Sequence, residues 1–441
     1  MIAFLAIHLF SACASDTDAE QKFDKTPAER LEAQKSELNT ALLSSEFGWK
    51  AVYFTDDSQL GGYTHLFRFA ANGKVQMASD FDADTAVYES DYSVVLGSTV
   101  SLLFETNNRI HLLSDSNNFP TAALRGKGYL GDFQFLYYGQ ENGDILFKSN
   151  RLVRDVRFVK ATAQDWADLS KNIVMEKNVI GANTRPLFRL LEITDGTVTK
   201  KFDFGFSSLS RFSSSVSIEP NSSEVVTFGV GYTPTGIVVS PAVEIGGQKL
   251  TNFVYNDTDG SFTATGTGGV KATIRYSNAP LVLTDDYKVM LNAPQTGFAY
   301  INANLATAPS NSALFNSLLA EIHASLPTTQ RVNRIQFTFN DAFGESYIAY
   351  TFTGGKTTIY HNFTLKEDAV NKRLIFISGT WQANTGAVIP EPALLKKMDA
   401  EFMNPNGLYI KKEAFKIAFT NNIYTFTSST SNFRMTTYAF Q

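Results

Sequence analysis

The sequence predicts a mainly β protein, a β-rich α+β chain built from two antiparallel β barrel or sandwich modules with a few short packing helices. Three observations carry this expectation. Aromatic residues make up 13% of the 441 residues, with 36 Phe and 18 Tyr, types that suit a pleated, half-buried surface. Short runs of alternating polarity recur along most of the chain. Gly-containing turns, among them Ala71-Asn72-Gly73 and Glu141-Asn142-Gly143, separate these runs as hairpin turns do.

The first element is a helix. Thr26 caps it, Pro27 fills the first helical position, and Glu29 completes a Thr-x-x-Glu capping box. Leu31, Leu38 and Leu42 then share one face, and the helix should end near Ser44. From Trp49 to about Lys160 the pattern predicts a meander of about eight strands. A short helix over Thr162 to about Asn172 follows, with Trp166 and Leu169 inward. A second set of strands runs from Phe188 to Tyr276, with turns at Asp195-Gly196 and Asn256–Gly260. The last third combines a helix over Ser312–Ala324, strands from Ile335 to Gly379, a helix around Ala393–Phe402 and closing hairpins to Phe440. This organisation divides the chain into residues 24–175 and 176–441, the second with candidate sub-modules 176–290 and 291–441. Phe67–Val75 and Phe337–Glu345 share a strand–turn–strand rhythm, which a repeated module and convergent hairpin chemistry explain equally well.

The N-terminus carries a targeting signal. Residues 1–12, MIAFLAIHLFSA, are apolar but too few to span a bilayer, which takes about 20. They suffice for the apolar region of a secretory signal. Leu9-Phe10-Ser11-Ala12-Cys13 resembles a lipobox, in which Cys13 accepts the lipid. Phe10 stands where Leu is usual and no basic region precedes the apolar run, so the true start is expected upstream. A buried structural cysteine is the alternative for Cys13, the single cysteine of the chain. Residues 13–23 then read as a polar, acidic tether. Ala14–Glu20 resembles the acidic export signal of surface lipoproteins of the Bacteroidetes, which implies an outer-membrane, lipid-anchored location facing the cell surface.

No local motif for catalysis stands out. The chain lacks a Gly-x-Ser-x-Gly elbow, a His-Glu-x-x-His helix, a phosphate-binding Gly loop and a dinucleotide fingerprint, so no cofactor and no enzymatic activity are expected. His65, His111, His323 and His361 have no His or Cys at metal-ligand spacing and read as surface or satisfied core groups. A net charge of −5 sets nucleic acid aside as a partner. Asp80, Asp82, Asp84 and Asp91 form a candidate calcium loop, although Thr85 stands where such loops need Gly. On a strand the same carboxylates would simply point to solvent. Asp84-Thr85-Ala86 resembles an O-glycosylation acceptor triplet of the Bacteroidetes. Tyr137, Tyr138, Tyr232 and Trp381 are candidate ligand-stacking aromatics, with core packing as the alternative role.

Several segments together carry a family resemblance. Phe23–Leu31, Gly48–Ala51 followed by Phe67–Phe69 and Asn72–Val75, and Tyr92–Val94 leading to Leu103–Asn107 resemble the domain of unknown function 4302. Tyr232–Gly236 and Asn404–Tyr409 fit it too, so the resemblance spans about residues 23–440. It implies an exported Bacteroidetes lipoprotein associated with SusC/SusD-like nutrient-uptake pairs, and it supplies no catalytic residues. The function expected is therefore non-catalytic capture of a glycan or peptide ligand, or an accessory role, beside such a transporter pair. A hydrolase with scattered carboxylates and a purely structural interaction partner are the alternatives.

Overall fold

A computed structural model describes residues 25–181, 185–291 and 296–440. Cys13, the signal segment and the acidic tether lie outside the described residues. The protein is mainly β, as expected, and forms two compact units. The first holds the described residues up to Asp56 with Tyr63–Ser170, and the second holds Asp57–Gly62 with the described residues from Lys171 onward.

In the first unit the helix Pro27–Leu42 begins as its capping box dictates. The Glu29 N–H donates to Thr26 Oγ1 at 3.3 Å, and the Thr26 N–H donates back to Glu29 Oε2 at 2.8 Å. Leu38, Ala41 and Leu42 are buried on one side of it. Eight strands from Trp49–Phe54 to Asp155–Lys160 follow in chain order and close into a barrel through Trp49↔Lys160 and Lys50↔Val159. Alternation drives the closure: Phe67, Phe104, Phe135, Phe147 and Phe158 all point inward and pack as stacked and edge-on rings. The Asn142-Gly143 turn holds both residues at positive φ, 53° and 87°, as a tight hairpin requires. Two short 3₁₀ turns, Arg109–Ser114 and Ala122–Leu124, occupy the connection between Phe104 and Gln134. The helix expected to end at about Asn172 runs over Ala163–Ile180 instead. It is longer because Met175 and Val179, four residues apart, continue the apolar face and are buried in the core of the second unit.

The second unit contains an eight-stranded barrel from Phe188–Asp195 to Val270–Ser277, closed by pairs from Val270↔Asp195 to Ser277↔Phe188. It also contains a nine-stranded sheet over residues 296–440. Pairing between Ile359–Asp368 and Arg373–Ala383 brings this sheet back on itself, so eight of its strands form a further ring. Gly297↔Phe440 joins the first strand of that ring to the last, and the two-residue strand Val388–Ile389 is appended to it. Two closed barrels are thus present, as expected, and among the described residues a third ring of strands occupies the candidate sub-module 291–441. Among the helices that serve this ring are Ala313–Ala324, capped by Ser312 and burying Phe315, Leu318, Leu319 and Ile322, and Lys396–Phe402, burying Met398, Asp399 and Phe402. The latter starts three residues later than the pattern Ala393–Phe402 suggests, because Leu395 first forms a turn with Pro392.

Candidate functional site

The structure separates the four candidate calcium ligands. Asp80 is fully buried, and its Oδ1 accepts the Thr64 N–H at 2.9 Å. Asp82 and Asp84 face Arg109, whose nearest guanidinium nitrogens lie 2.5 and 3.7 Å away. Hydrogen bonds from Tyr88 and the Ala86 N–H, with Arg109 nearby, hold the Asp84 carboxyl below the usual range. Asp91 pairs with Lys74 at 2.5 Å, and the hydrogen bond from that lysine lowers its carboxyl. Each carboxylate is thus committed to a cation or a backbone donor, which corrects the calcium reading. Among the described residues no group of three or more His, Cys, Asp or Glu could hold a metal.

The four candidate aromatics are not brought together either. Tyr232 is fully buried in the second barrel, with the Arg211 guanidinium 4.4 Å from its ring centre. Tyr137 is buried in the first barrel and donates to Glu37 at 2.7 Å. Burial first, and Glu37 second, push its hydroxyl up to about 12. Trp381 is 7% exposed. These three are core residues, since alternation turns them inward in closed rings. Tyr138, facing the other way, is exposed, with Lys148 Nζ 5.3 Å from its ring centre.

Trp381 nevertheless marks a site. In the third ring it lies opposite His361 in the ladder, and the two rings stack. The register slips between His361 and Phe363: Phe363 pairs with Ser378 and His361 with Trp381, leaving Gly379 and Thr380 opposite Asn362 alone. This is a β-bulge, a device that re-aims side chains. Glycine is needed there because a Cβ on Gly379 would lie 2.7 Å from the Asn362 carbonyl oxygen. The helix Lys396–Phe402 supplies Asp399, and the strand Tyr347–Phe352 supplies Tyr350.

Polar groups from these elements converge. His361 Nδ1 lies 2.9 Å from the Asp399 carboxylate, and His361 Nε2 lies 2.9 Å from Ser378 Oγ. Tyr350 donates to Asp399 Oδ1 at 2.6 Å. Complete burial, with Asp399 adjacent, raises the Tyr350 hydroxyl well above its ordinary value, so it remains a donor. A carboxylate only accepts, so the imidazole proton sits on Nδ1 facing Asp399. Nε2 is then the acceptor, and the Ser378 hydroxyl donates to it. His361 and Asp399 are buried, whereas Ser378 is exposed. The array is an acid, a base and a solvent-facing hydroxyl in sequence. No local motif reveals it, because 17 residues separate His361 from Ser378 and 38 separate it from Asp399.

On the same strand, a surface cleft of about 540 Å³ is lined by Asn340, Ser346, Asn362 and Thr364, among others. Phe343, in the loop that borders this cleft, is 89% exposed.

Fold and site define a chain of up-and-down antiparallel β rings carrying a polar array in the last of them. This chain belongs to the family described as Domain of unknown function (DUF4302), whose model matches residues 19–257. The match ends within the second barrel, so His361, Ser378 and Asp399 lie beyond it. No curated protein matches the chain. Among solved structures it is similar to a protein of unknown function of the DUF3598 family from Nostoc punctiforme, at 8% identity over 60% of this chain and 97% of that one, with a TM-score of 0.14. It is also similar to a DNA polymerase sliding clamp from Bacillus subtilis, at 8% identity over 93% of this chain and 96% of that one, with a TM-score of 0.15. At these scores neither likeness assigns a fold or an activity.

Proposed function

We propose that this chain is a lipid-anchored envelope protein of the Bacteroidetes type, held at the outer membrane facing the cell surface. In this reading it captures a glycan or peptide, or acts as an accessory component, for a SusC/SusD-like nutrient-uptake pair. The observation that carries the anchor is Cys13, the single cysteine, at the end of the apolar run Met1–Ala12 and before an acidic tether. Several acyl chains on one cysteine bind a bilayer stably where a single chain is marginal. The capture role is supported by the cleft beside Phe343, whose volume of about 540 Å³ falls within the range of small-ligand sites. Its polar lining beside an exposed aromatic suits a sugar ring or an extended peptide.

Fractionation tests the anchor. The wild-type chain should sediment with membranes and the Cys13→Ala variant should not; equal sedimentation of the two overturns it. Calorimetry against oligosaccharides and peptides tests capture. Phe343→Ala should weaken binding about tenfold, and binding by neither ligand class overturns the role. A second reading, hydrolysis, is favoured by the Ser378–His361–Asp399 geometry and not by the scattered carboxylates first considered.

A further inference from the structure

We propose that Ser378 and His361 form a catalytic site that cleaves carboxylic esters by acyl transfer, with Asp399 as the positioning residue. This goes beyond ligand capture and runs against the expectation of no catalysis drawn from the missing local motifs. It stands on three observations. The two hydrogen bonds of 2.9 Å on either side of the imidazole match the reach of a base that takes a proton from a hydroxyl. The tautomer is set by a buried carboxylate that Tyr350 also holds, so Nε2 is the basic nitrogen. The nucleophile is reachable. The ladder to Leu408–Glu413 ends at Leu374↔Leu408 and the ladder to Val388–Ile389 begins at Trp381↔Ile389. Between them Ile377, Ser378, Gly379 and Thr380 are all exposed along an open strand edge. Trp381, flat against His361, keeps water from that face of the imidazole.

The chemistry balances without a cofactor. Ser378 Oγ passes its proton to His361 Nε2 and bonds to the ester carbonyl carbon. The tetrahedral oxyanion collapses, the bond to the alkoxy oxygen breaks, and that oxygen takes the proton from His361 and leaves as the alcohol. Water then gives a proton to His361 and attacks the acyl-serine. Collapse of the second oxyanion releases the carboxylic acid and returns the proton to Ser378.

The test uses the full chain, a fluorophosphonate probe and p-nitrophenyl acetate. The folded wild type should carry one adduct, mapped to Ser378 by mass spectrometry, and should release p-nitrophenol in a burst of one equivalent. Ser378→Ala, at an exposed position, should keep its melting temperature and lose both signals. Asp399→Asn should lower kcat on the order of a thousandfold with KM unchanged, a split that mere loss of packing would not produce. A folded wild type without an adduct at Ser378, or with the same adduct yield after unfolding, overturns the proposal. So does undiminished ester cleavage by Ser378→Ala. These readouts are independent of membrane sedimentation and of oligosaccharide or peptide binding, so either proposal can fail alone.

Discussion

The imidazole of His361 lies flat on the indole of Trp381, with ring centres 4.1 Å apart and planes 7° apart. The contact joins packing to orientation, because the same imidazole is fixed at both nitrogens. Trp381→Ala removes the stack and leaves a cavity, which should cost about 3–5 kcal/mol in urea unfolding. Trp381→Phe, which keeps an aromatic face, should cost less than half of that. A loss below 1 kcal/mol for Trp381→Ala would show that the indole is not a core residue.

His65 gives the first barrel a pH dependence. Its ring is fully buried, and its Nδ1 lies 3.2 Å from the Tyr63 carbonyl oxygen. Burial pushes its pKa down to about 4. In the unfolded chain it protonates near 6.5. Between those values the unfolded state binds the extra proton, so stability is complete above pH 6.5 and falls as pH drops towards 4. The loss should reach about 3 kcal/mol. Melting curves of wild type and His65→Gln between pH 7 and 4 check this, the variant showing the flatter dependence.

Phe337 and Phe343 should differ sharply in their response to truncation. Phe337 is fully buried against Phe402 and Phe426, each with its ring centre 4.9 Å away. Phe337→Ala should therefore lose about 3–5 kcal/mol. Phe343→Ala should change stability by less than about 0.5 kcal/mol. Denaturant midpoints measured side by side decide it.

Gly48 admits no side chain. Its φ is 73°, and a Cβ would stand 2.0 Å from the Phe67 carbonyl oxygen. Gly48→Ala should lower the stability of the first barrel by several kcal/mol through strain and displaced backbone. Hydrogen exchange of the strand Gly62–Phe69 reports it, with protection lost first around Phe67.

What was legible in the sequence was what is encoded locally. Thr26 and Glu29 lie three residues apart and cap one another, and Asn142-Gly143 turns its own hairpin. Alternation marked the strands of the first meander, but it could not say whether Tyr232 faced core or ligand. That depends on whether the sheet closes. Closure of the third ring rests on distant pairs such as Arg373↔Tyr409 and Gly297↔Phe440, which no window of the sequence displays. His361 looked isolated for the same reason: its partners come from another strand and from a helix. The bulge at Gly379 shifts Ser378 and Trp381 relative to His361, and period-2 reading carries no sign of such an insertion. The 3₁₀ turn Arg109–Ser114 was unreadable because it is too short to show a period.

Ring closure also bears on how such chains diversify. In each ring the first strand pairs with the last, as Trp49↔Lys160, Val270↔Asp195 and Gly297↔Phe440 show. The entry and exit of every ring are therefore neighbours. A ring can be cut at a surface turn and rejoined at its ends, or copied whole into a longer chain, without opening its wall. Serial duplication with later divergence is the evolutionary route that this geometry leaves open.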